Sequence, residues 1–578
     1  MNELIYFGLI VLVSVFLVGW RGLAEQKRQR ALTEKWIRKE YGSAPMENRG
    51  RDEAAVTGSY LHCSPSFFLD DITWNDLDME LVFRRVNYAR SAAGAGELYR
   101  MLRCPAMERG TLTERNLLAD SMAERETLRE QLSMALCEIG FTGKYALEDY
   151  LDYLENLGRR NNGKHILMDC LYIPAVFLLF SEPALGVMIL FVALVINIMT
   201  YFKEKREVDP YLVSFAYILR MIRGAERMAG ILDRSCRSGS LKAGGAESGE
   251  IFVKYREILR RDIRELGSFR SFSRVAMSMR NPMGGSGPLD ILSDYLKMAL
   301  HLDLMKFNQM LKVVREKDSE IRELVRTVGT IDACISIAYF RASLESFSRP
   351  EQSEDCGLHA EGLYHPLLDE PVKNDMDTKK SVLITGSNAS GKSTFLKTVA
   401  LGAVLAQTLY TVPAGRWRAP FYRVMSSMAL RDNLTGGESY FMVEIRALKR
   451  ILDTAAGEKQ TPVLCFVDEV LRGTNTVERI AASSRILQSL TGKGVLCFAA
   501  THDIELTHLL ESSYENYHFE ETIEDGDISF NYLLKKGRAQ SRNAIRLLEV
   551  MGYDRQVIRE AEELAERFLE TGEWEAGS

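Results

Sequence analysis

A glycine-rich loop set between an apolar strand and an apolar helix is the feature that most constrains this chain. From Ser381 it reads SVLIT-GSNASGKS-TFLKTVALGAVLAQ. Gly386-x-x-x-x-Gly391-Lys392-Ser393 follows a β-branched run, and Phe395, Leu396, Val399, Ala403 and Val404 then recur at helical spacing. Strand, loop and helix in that order make a phosphate-binding loop. Glycines let backbone N–H groups curl around phosphate oxygens, and the helix N-terminus adds partial positive charge. Lys392 is expected to reach the β- and γ-phosphates, and the Ser393 hydroxyl to ligate Mg²⁺.

Two further strands belong with the loop. Pro462 to Val467 is apolar and ends in Asp468-Glu469, which reads as a buried parallel strand delivering two carboxylates. Asp468 is expected to hold Mg²⁺ through water, and Glu469 to orient or activate water at the γ-phosphate. A second apolar strand, Val495 to Ala500, ends in Thr501-His502-Asp503. The C-terminal ends of strands are where ligands bind in open α/β sheets, so His502 reads as a γ-phosphate sensor. The expected catalytic set is Lys392, Glu469 and His502, with ATP and Mg²⁺ as ligands.

Two other stretches are apolar enough for a bilayer. Leu4 to Trp20 has 17 residues and no charge, and reads as an anchor; its acidic start and the lack of an A-x-A site speak against a cleaved signal peptide. Ile166 to Phe202 spans 37 residues, broken at Ser181-Glu182-Pro183, and reads as two short spans in a hairpin, with a buried soluble hairpin as the alternative. Three membrane-spanning helices are therefore expected. Arg21, Lys27, Arg28 and Arg30 follow the first span, Arg159, Arg160 and Lys164 precede the hairpin, and Lys203, Lys205 and Arg206 follow it. By the positive-inside rule these clusters are cytoplasmic, giving a multi-pass protein of the cell membrane with residues 21–165 and 203–578 inside.

Composition bounds what remains. The 578 residues allow three to four domains, and 46% hydrophobic with 26% charged residues is globular rather than disordered. A net charge of −6 removes the simplest case for a nucleic-acid binder, global basicity. Nine cysteines stand singly with no CxxC pair, which argues against a disulfide framework or a zinc knuckle.

Several segments together resemble the MutS DNA mismatch-repair family. The loop GSNASGKST is similar to GPNMGGKST, and ALRDNLTGGESYFMVE (429–444) resembles the family's signature segment. DEVLRGTNT (468–476) resembles DEIGRGTST, and FAATHDIELTHL resembles FATHYFELTQL. Leu363-Tyr364-His365-Pro366 and Asn374-Asp375 match the approach to the loop strand. The resemblance covers about 345–570 and implies an ABC-like α/β P-loop ATPase domain of MutS type. It implies nucleotide contacts from Gly386, Ser387, Asn388, Ala389, Ser390, Gly391, Lys392, Ser393 and Thr394, and metal contacts from Ser393 and Asp468. It further implies a homodimer with shared ATP sites, Ser439 reaching the partner's γ-phosphate and the turn Gly473-Thr474-Asn475 communicating between sites. Val372 stands where an aromatic adenine-stacking residue is expected. Upstream, Phe68 to Pro105 and Glu323 to Phe347 resemble the start and return of the family's mainly α-helical lever domain.

Parts of the family pattern are not matched. No Phe-x-Glu reading motif precedes residue 60, the apolar hairpin interrupts the helical body, and 207–345 shows amphipathic helices rather than a strand-rich clamp. The expected order is an anchor (1–22), a cytoplasmic linker (23–60), a helical body (61–165), the hairpin (166–202), a second helical part (203–345), the ATPase domain (346–542) and a helical dimerisation region (543–578). DNA remains a candidate partner through 251–280, where Lys254, Arg256, Arg260, Arg261, Arg264, Arg270, Arg274 and Arg280 outnumber three acids. The same face also suits an anionic membrane surface or simple solvation. Two functions stay open: a membrane-tethered ATPase acting on DNA, and an ATP-switched membrane scaffold that does not bind DNA. An ABC transporter subunit fits poorly, since LSGGQ is absent.

Overall fold

The computed structural model describes residues 2–45, 56, 60, 67–141, 147–155, 157–158, 160–237, 246–267, 269, 298–387, 390–428, 440–457, 461–472, 474–492, 494–524, 527–539, 545, 548 and 552–571. The chain divides into two compact units, one of residues 1–64, 86–100 and 114–343, the other of 65–85, 101–113 and 344–578.

The first unit is helical. Helix Asp318–Ala342 runs through its centre, with every residue from Ala333 to Arg341 buried. Its apolar positions Leu324, Val325, Val328, Ile331, Ile335 and Ile337 are all within the core, as their spacing requires. Asp332 on this helix is fully buried and accepts from the backbone N–H of Arg90 (3.1 Å) and Ser91 (2.9 Å) and from the Ser91 hydroxyl (2.6 Å). These groups lead into helix Ala92–Arg103, whose first turn is closed by Gly94 N–H donating to Ser91 Oγ at 3.1 Å. A carboxylate from a remote helix thus satisfies donors that the chain locally leaves open. Burial pushes the Asp332 carboxyl up, and these hydrogen bonds oppose that shift.

The apolar hairpin is helical on both arms and turns at Glu182, between Tyr172–Ser181 and Pro183–Arg237. Among the described residues two helices are long and apolar enough to cross a membrane, Gly163–Ser181 and Pro183–Val208, not the three expected. Only 11% and 22% of their apolar windows are buried within this unit. The first stretch, 4–20, lies in helix Asn2–Glu40; most of its side chains lie outside the described residues. That helix also covers the first part of the stretch expected as a linker. It continues through 23–40, where Ile37 is buried and Arg38 pairs with Glu130 at 2.7 Å. The second arm continues beyond the apolar stretch: one helix of 55 residues runs from Pro183 to Arg237, and its C-terminal half packs Phe215, Ile218, Met221, Ile222 and Met228 into the unit.

The second unit is α/β. Its main sheet has the order β12-β9-β4-β8-β7-β6, with β4 Ser381–Thr385, β6 Arg423–Ser427, β7 Val463–Asp468, β8 Val495–Ala500, β9 Tyr514–His518 and β12 Lys535–Lys536. All neighbours are parallel except β9 and β12. Strands β4 and β8 are buried along their whole length, as a parallel sheet covered on both faces demands. A smaller sheet joins β1 Glu351–Gln352, β5 Arg416–Ala419, β2 Leu358–Leu363 and β3 Asn374–Thr378, and β10 Glu521–Glu524 pairs with β11 Asp527–Phe530. Residues 65–85 belong here rather than with the helical body because helix Asp71–Asp76 covers the exposed edge of β6. Thr73 accepts from Ser426 N–H at 3.1 Å, and Asp76 accepts from the Ser426 hydroxyl at 2.6 Å.

Candidate nucleotide site

The chemistry-bearing residues collect at the C-terminal ends of β4, β7 and β8. Strand β4 runs into the loop, which takes positive φ at Gly386 (149°) and Gly391 (102°) before helix Lys392–Thr408 begins. A Cβ at Gly391 would sit 3.0 Å from the Tyr532 ring, so conformation and space both require glycine. Phe395, Leu396 and Val399 anchor that helix in the core.

Lys392 is buried, and its ammonium donates to the carbonyls of Gly386 (2.8 Å) and Ser387 (2.7 Å). The Ser393 hydroxyl donates to Asp468 Oδ2 at 2.5 Å. The other oxygen of Asp468 is buried and has no hydrogen-bond partner among the described residues. Burial pushes the Asp468 carboxyl up, against the Ser393 bond. A hydroxyl and a carboxylate with a spare oxygen form a hard oxygen donor set of the kind Mg²⁺ takes.

Glu469 adopts φ 53° and directs its carboxylate to His502 Nε2 at 2.8 Å and to the Arg472 guanidinium. Burial alone would raise its pKa, yet the bonds and charges of His502 and Arg472 hold it down to about 2. It is therefore ionised at any working pH. Arg479 clamps the neighbouring Asp503 with two bonds of 2.9 and 2.7 Å, fixing the loop that carries His502.

A cleft of about 560 Å³ opens beside the loop. Ser390, Gly391, Lys392, Ser393 and Thr394 line it, together with Glu469. Gly386 and Ser387 lie beneath, through the carbonyls that hold Lys392. Asp468 and His502 join through their bonds to Ser393 and Glu469. Asn388, Ala389, Gly473 and Ser439 lie outside the described residues. Asn475 does not line the cleft; its side chain caps helix Thr476–Ser489 by accepting Val477 N–H at 3.0 Å.

The structure adds residues that spacing did not point to. Val372 does line the cleft, and the aromatic rings there are Phe395, Phe519 and Tyr532 from distant positions. Tyr532 is linked to the rim by Asn374, whose amide donates to its carbonyl at 3.0 Å. His365 also lines the cleft, and burial, with Lys397 nearby, pushes its pKa down to about 4, leaving the imidazole neutral. Arg472 pairs with Glu469, and Glu444 accepts the Leu471 N–H two residues further on. Both stood within the quoted segments, but nothing in their spacing assigned them a contact.

The basic helix carries ion pairs on its charged face. Helix Ala246–Glu265 buries Phe252, Tyr255 and Leu259, but its cations are largely paired. Lys254 meets Glu114 (2.8 Å), Arg260 meets Asp233, and Arg261 meets Glu323. Arg256 lies against Glu257 at 3.2 Å. These pairs are on the surface, with Lys254, Arg260 and Arg261 about half exposed; Arg270, Arg274 and Arg280 lie outside the described residues.

Residues 382–569 match the family described as MutS domain V. The DNA mismatch repair protein MutS of Natronomonas pharaonis is 32% identical over 274 residues, which cover 46% of this chain and 31% of that protein. That of Thermotoga neapolitana is 32% identical over 282 residues, 46% of this chain and 34% of the relative. That of Thermotoga maritima is 31% identical over 271 residues, 45% of this chain and 33% of the relative. The chain thus spans about a third of the length of the curated relatives it matches. It carries a MutS domain V at residues 382–569 and is a homologue of the DNA mismatch repair protein MutS, at about 30% identity over about half of its length.

Proposed function

We propose that this chain is a MutS-type ATPase that works as a homodimer, is held at a membrane by its apolar hairpin, and acts on DNA. One observation carries the ATPase reading: Lys392, the Ser393–Asp468 pair and the Glu469–His502 pair meet around a single cleft at the strand ends. Lys392 would exchange its loop carbonyls for phosphate oxygens, keeping a buried cation paired. Ser393 and Asp468 would hold Mg²⁺, which when bound neutralises phosphate charge. Glu469, already ionised, orients the attacking water, and His502 holds its carboxylate in place. By the resemblance, Ser439 completes the partner's site and Asn475 belongs to the turn that links the two sites.

Nucleotide binding and turnover by the detergent-purified chain test this. Lys392→Ala is expected to weaken ATP binding on the order of 10²-fold, from lost charge-assisted hydrogen bonds. Glu469→Gln is expected to bind ATP normally and to slow hydrolysis by at least about 10²-fold, trapping the loaded state. Normal turnover in the glutamine variant would remove Glu469 from this role.

The membrane part rests on the low burial of the hairpin, where Phe177, Phe180 and Met199 are 74%, 88% and 69% exposed. So much contiguous apolar surface needs lipid or protein cover. A second reading keeps the ATPase and membrane parts but omits DNA. The pairing of Lys254, Arg260 and Arg261 with carboxylates supports it, since DNA phosphates would have to displace those partners.

A further inference from the structure

Helix Tyr440–Ala456 and the turn after β7 share one core, in which Leu448 and Ile451 pack with Val470 and Leu471. Inside it lies a carboxylate. Glu444 is only 4% exposed; its Oε1 accepts the backbone N–H of Leu471, while its Oε2 has no hydrogen-bond partner among the described residues. Burial pushes this carboxyl up, with the Leu471 N–H and Arg472 opposing. An acid so enclosed is a costly way to fill a core that leucine or methionine could fill. Glu444 does not line the cleft, so it is not there to touch nucleotide.

What it does touch is strained. Glu469 and Leu471 both adopt the left-handed region, at φ 53° and 59°, without being glycine. Such residues persist only where surrounding contacts over-determine them, and they gather at active sites. Three contacts hold this turn by its backbone: Glu469 N–H donates to Ala500 O at 2.9 Å, Leu471 N–H donates to Glu444, and the Ser483 hydroxyl donates to Val470 O at 3.2 Å.

We propose that Glu444 is a positioning residue for hydrolysis: by accepting the Leu471 N–H it holds the 469–472 turn in its left-handed form, and so fixes where the Glu469 carboxylate stands. The proposal rests on the ATPase reading above and adds to it a residue outside the cleft. It requires the effect of losing Glu444 to fall on the hydrolytic step and to spare nucleotide binding. It also requires glutamine, which keeps an acceptor at the bonded position, to serve in its place.

The test compares the full-length chain with its Glu444→Leu, Glu444→Asp and Glu444→Gln variants, with Lys392→Ala as control, for ATP affinity and single-turnover hydrolysis. Glu444→Leu is expected to lose about 10²-fold in kcat, the usual consequence of misplacing a catalytic group by about 1 Å. Its ATP affinity and that of Glu444→Gln stay near the wild-type value, and Glu444→Gln keeps most of the hydrolysis rate. Should the leucine variant not fold, the aspartate variant gives the reading, since it keeps the charge but falls short of the Leu471 N–H; the same loss in kcat is expected. Wild-type turnover in the leucine or aspartate variant overturns the proposal. So does a glutamine variant as slow as leucine, or a loss of ATP affinity that parallels the loss in rate. In those cases a wild-type chain that hydrolyses ATP, beside an inert Lys392→Ala, leaves the ATPase reading standing. A wild-type chain that neither binds nor hydrolyses ATP overturns both.

Discussion

Glu469 is defined by what holds it. Its carboxylate lies between His502 and Arg472, and its pKa of about 2 lies below the ordinary value of 4.5. With the folded value depressed, its ion pairs stabilise the turn fully above about pH 4.5 and are lost as pH falls toward 2. Removing Arg472 takes away part of the depressing charge while the burial remains. Arg472→Ala is therefore expected to raise the pH at which Glu469 takes up a proton, moving the acid limb of single-turnover hydrolysis upward. Rates of the wild-type chain and the variant measured from about pH 3 to 7 check this: the wild type is expected to stay flat, and a variant equally flat would detach Arg472 from Glu469. Lys392, Ser393, Asp468, Glu469 and His502 could be read in order along the chain because each sits at a strand end or loop of fixed spacing. Glu444 could not. It meets Leu471 across 27 residues, through a turn whose left-handed backbone no propensity announces.

Among the elements, helix faces followed from periodicity, while helix continuity did not. Phe252, Tyr255 and Leu259 are buried at their expected spacing. The polar run after Phe202 read as an end, yet the helix continues to Arg237, because packing against the rest of its unit outweighs the local polar signal. The close approach of the two hairpin arms depends on Gly186, where a Cβ would come within 2.5 Å of the Leu179 backbone nitrogen. Helix Ala92–Arg103 shows the same dependence on remote partners. Asp332→Ala would leave the Arg90 and Ser91 N–H groups buried without acceptors, at about 1–3 kcal/mol for each unsatisfied group. We expect a loss of about 3 kcal/mol in stability, read as a lowered denaturation midpoint, with Asp332→Asn losing less because one acceptor remains. A midpoint unchanged in Asp332→Ala would show that water or a neighbour replaces the carboxylate.

For the whole molecule, membrane and DNA are the two surfaces against which the proposed nucleotide site is to be tested. The exposed hairpin predicts that the purified chain partitions into phospholipid vesicles and needs detergent to stay dispersed. Changing Phe177, Phe180 and Phe191 to serine is expected to weaken that partition markedly, at about 1.5–3 kcal/mol for each large apolar side chain withdrawn from an apolar phase. DNA is decided by a titration of duplex, mismatched and branched DNA across salt, with and without ATP. A steep fall of affinity with salt that responds to ATP supports action on DNA. A flat, weak response with turnover intact supports the scaffold reading and agrees with the ion-paired face around Lys254, Arg260 and Arg261.

Sequence alone determined the local pattern: a glycine loop between strand and helix, carboxylates and a histidine at strand ends, and apolar runs too long to ignore. Those features are set by spacing within one strand, loop or helix, so a linear pattern carries them. Tertiary structure alone decided which charges are free and which backbone is held. Whether Lys254 meets a carboxylate such as Glu114, and whether the turn at Glu469 stays left-handed, depends on residues tens to hundreds of positions away. Electrostatic pairing and backbone strain are properties of neighbours in space, and the chain reveals them only once it is folded.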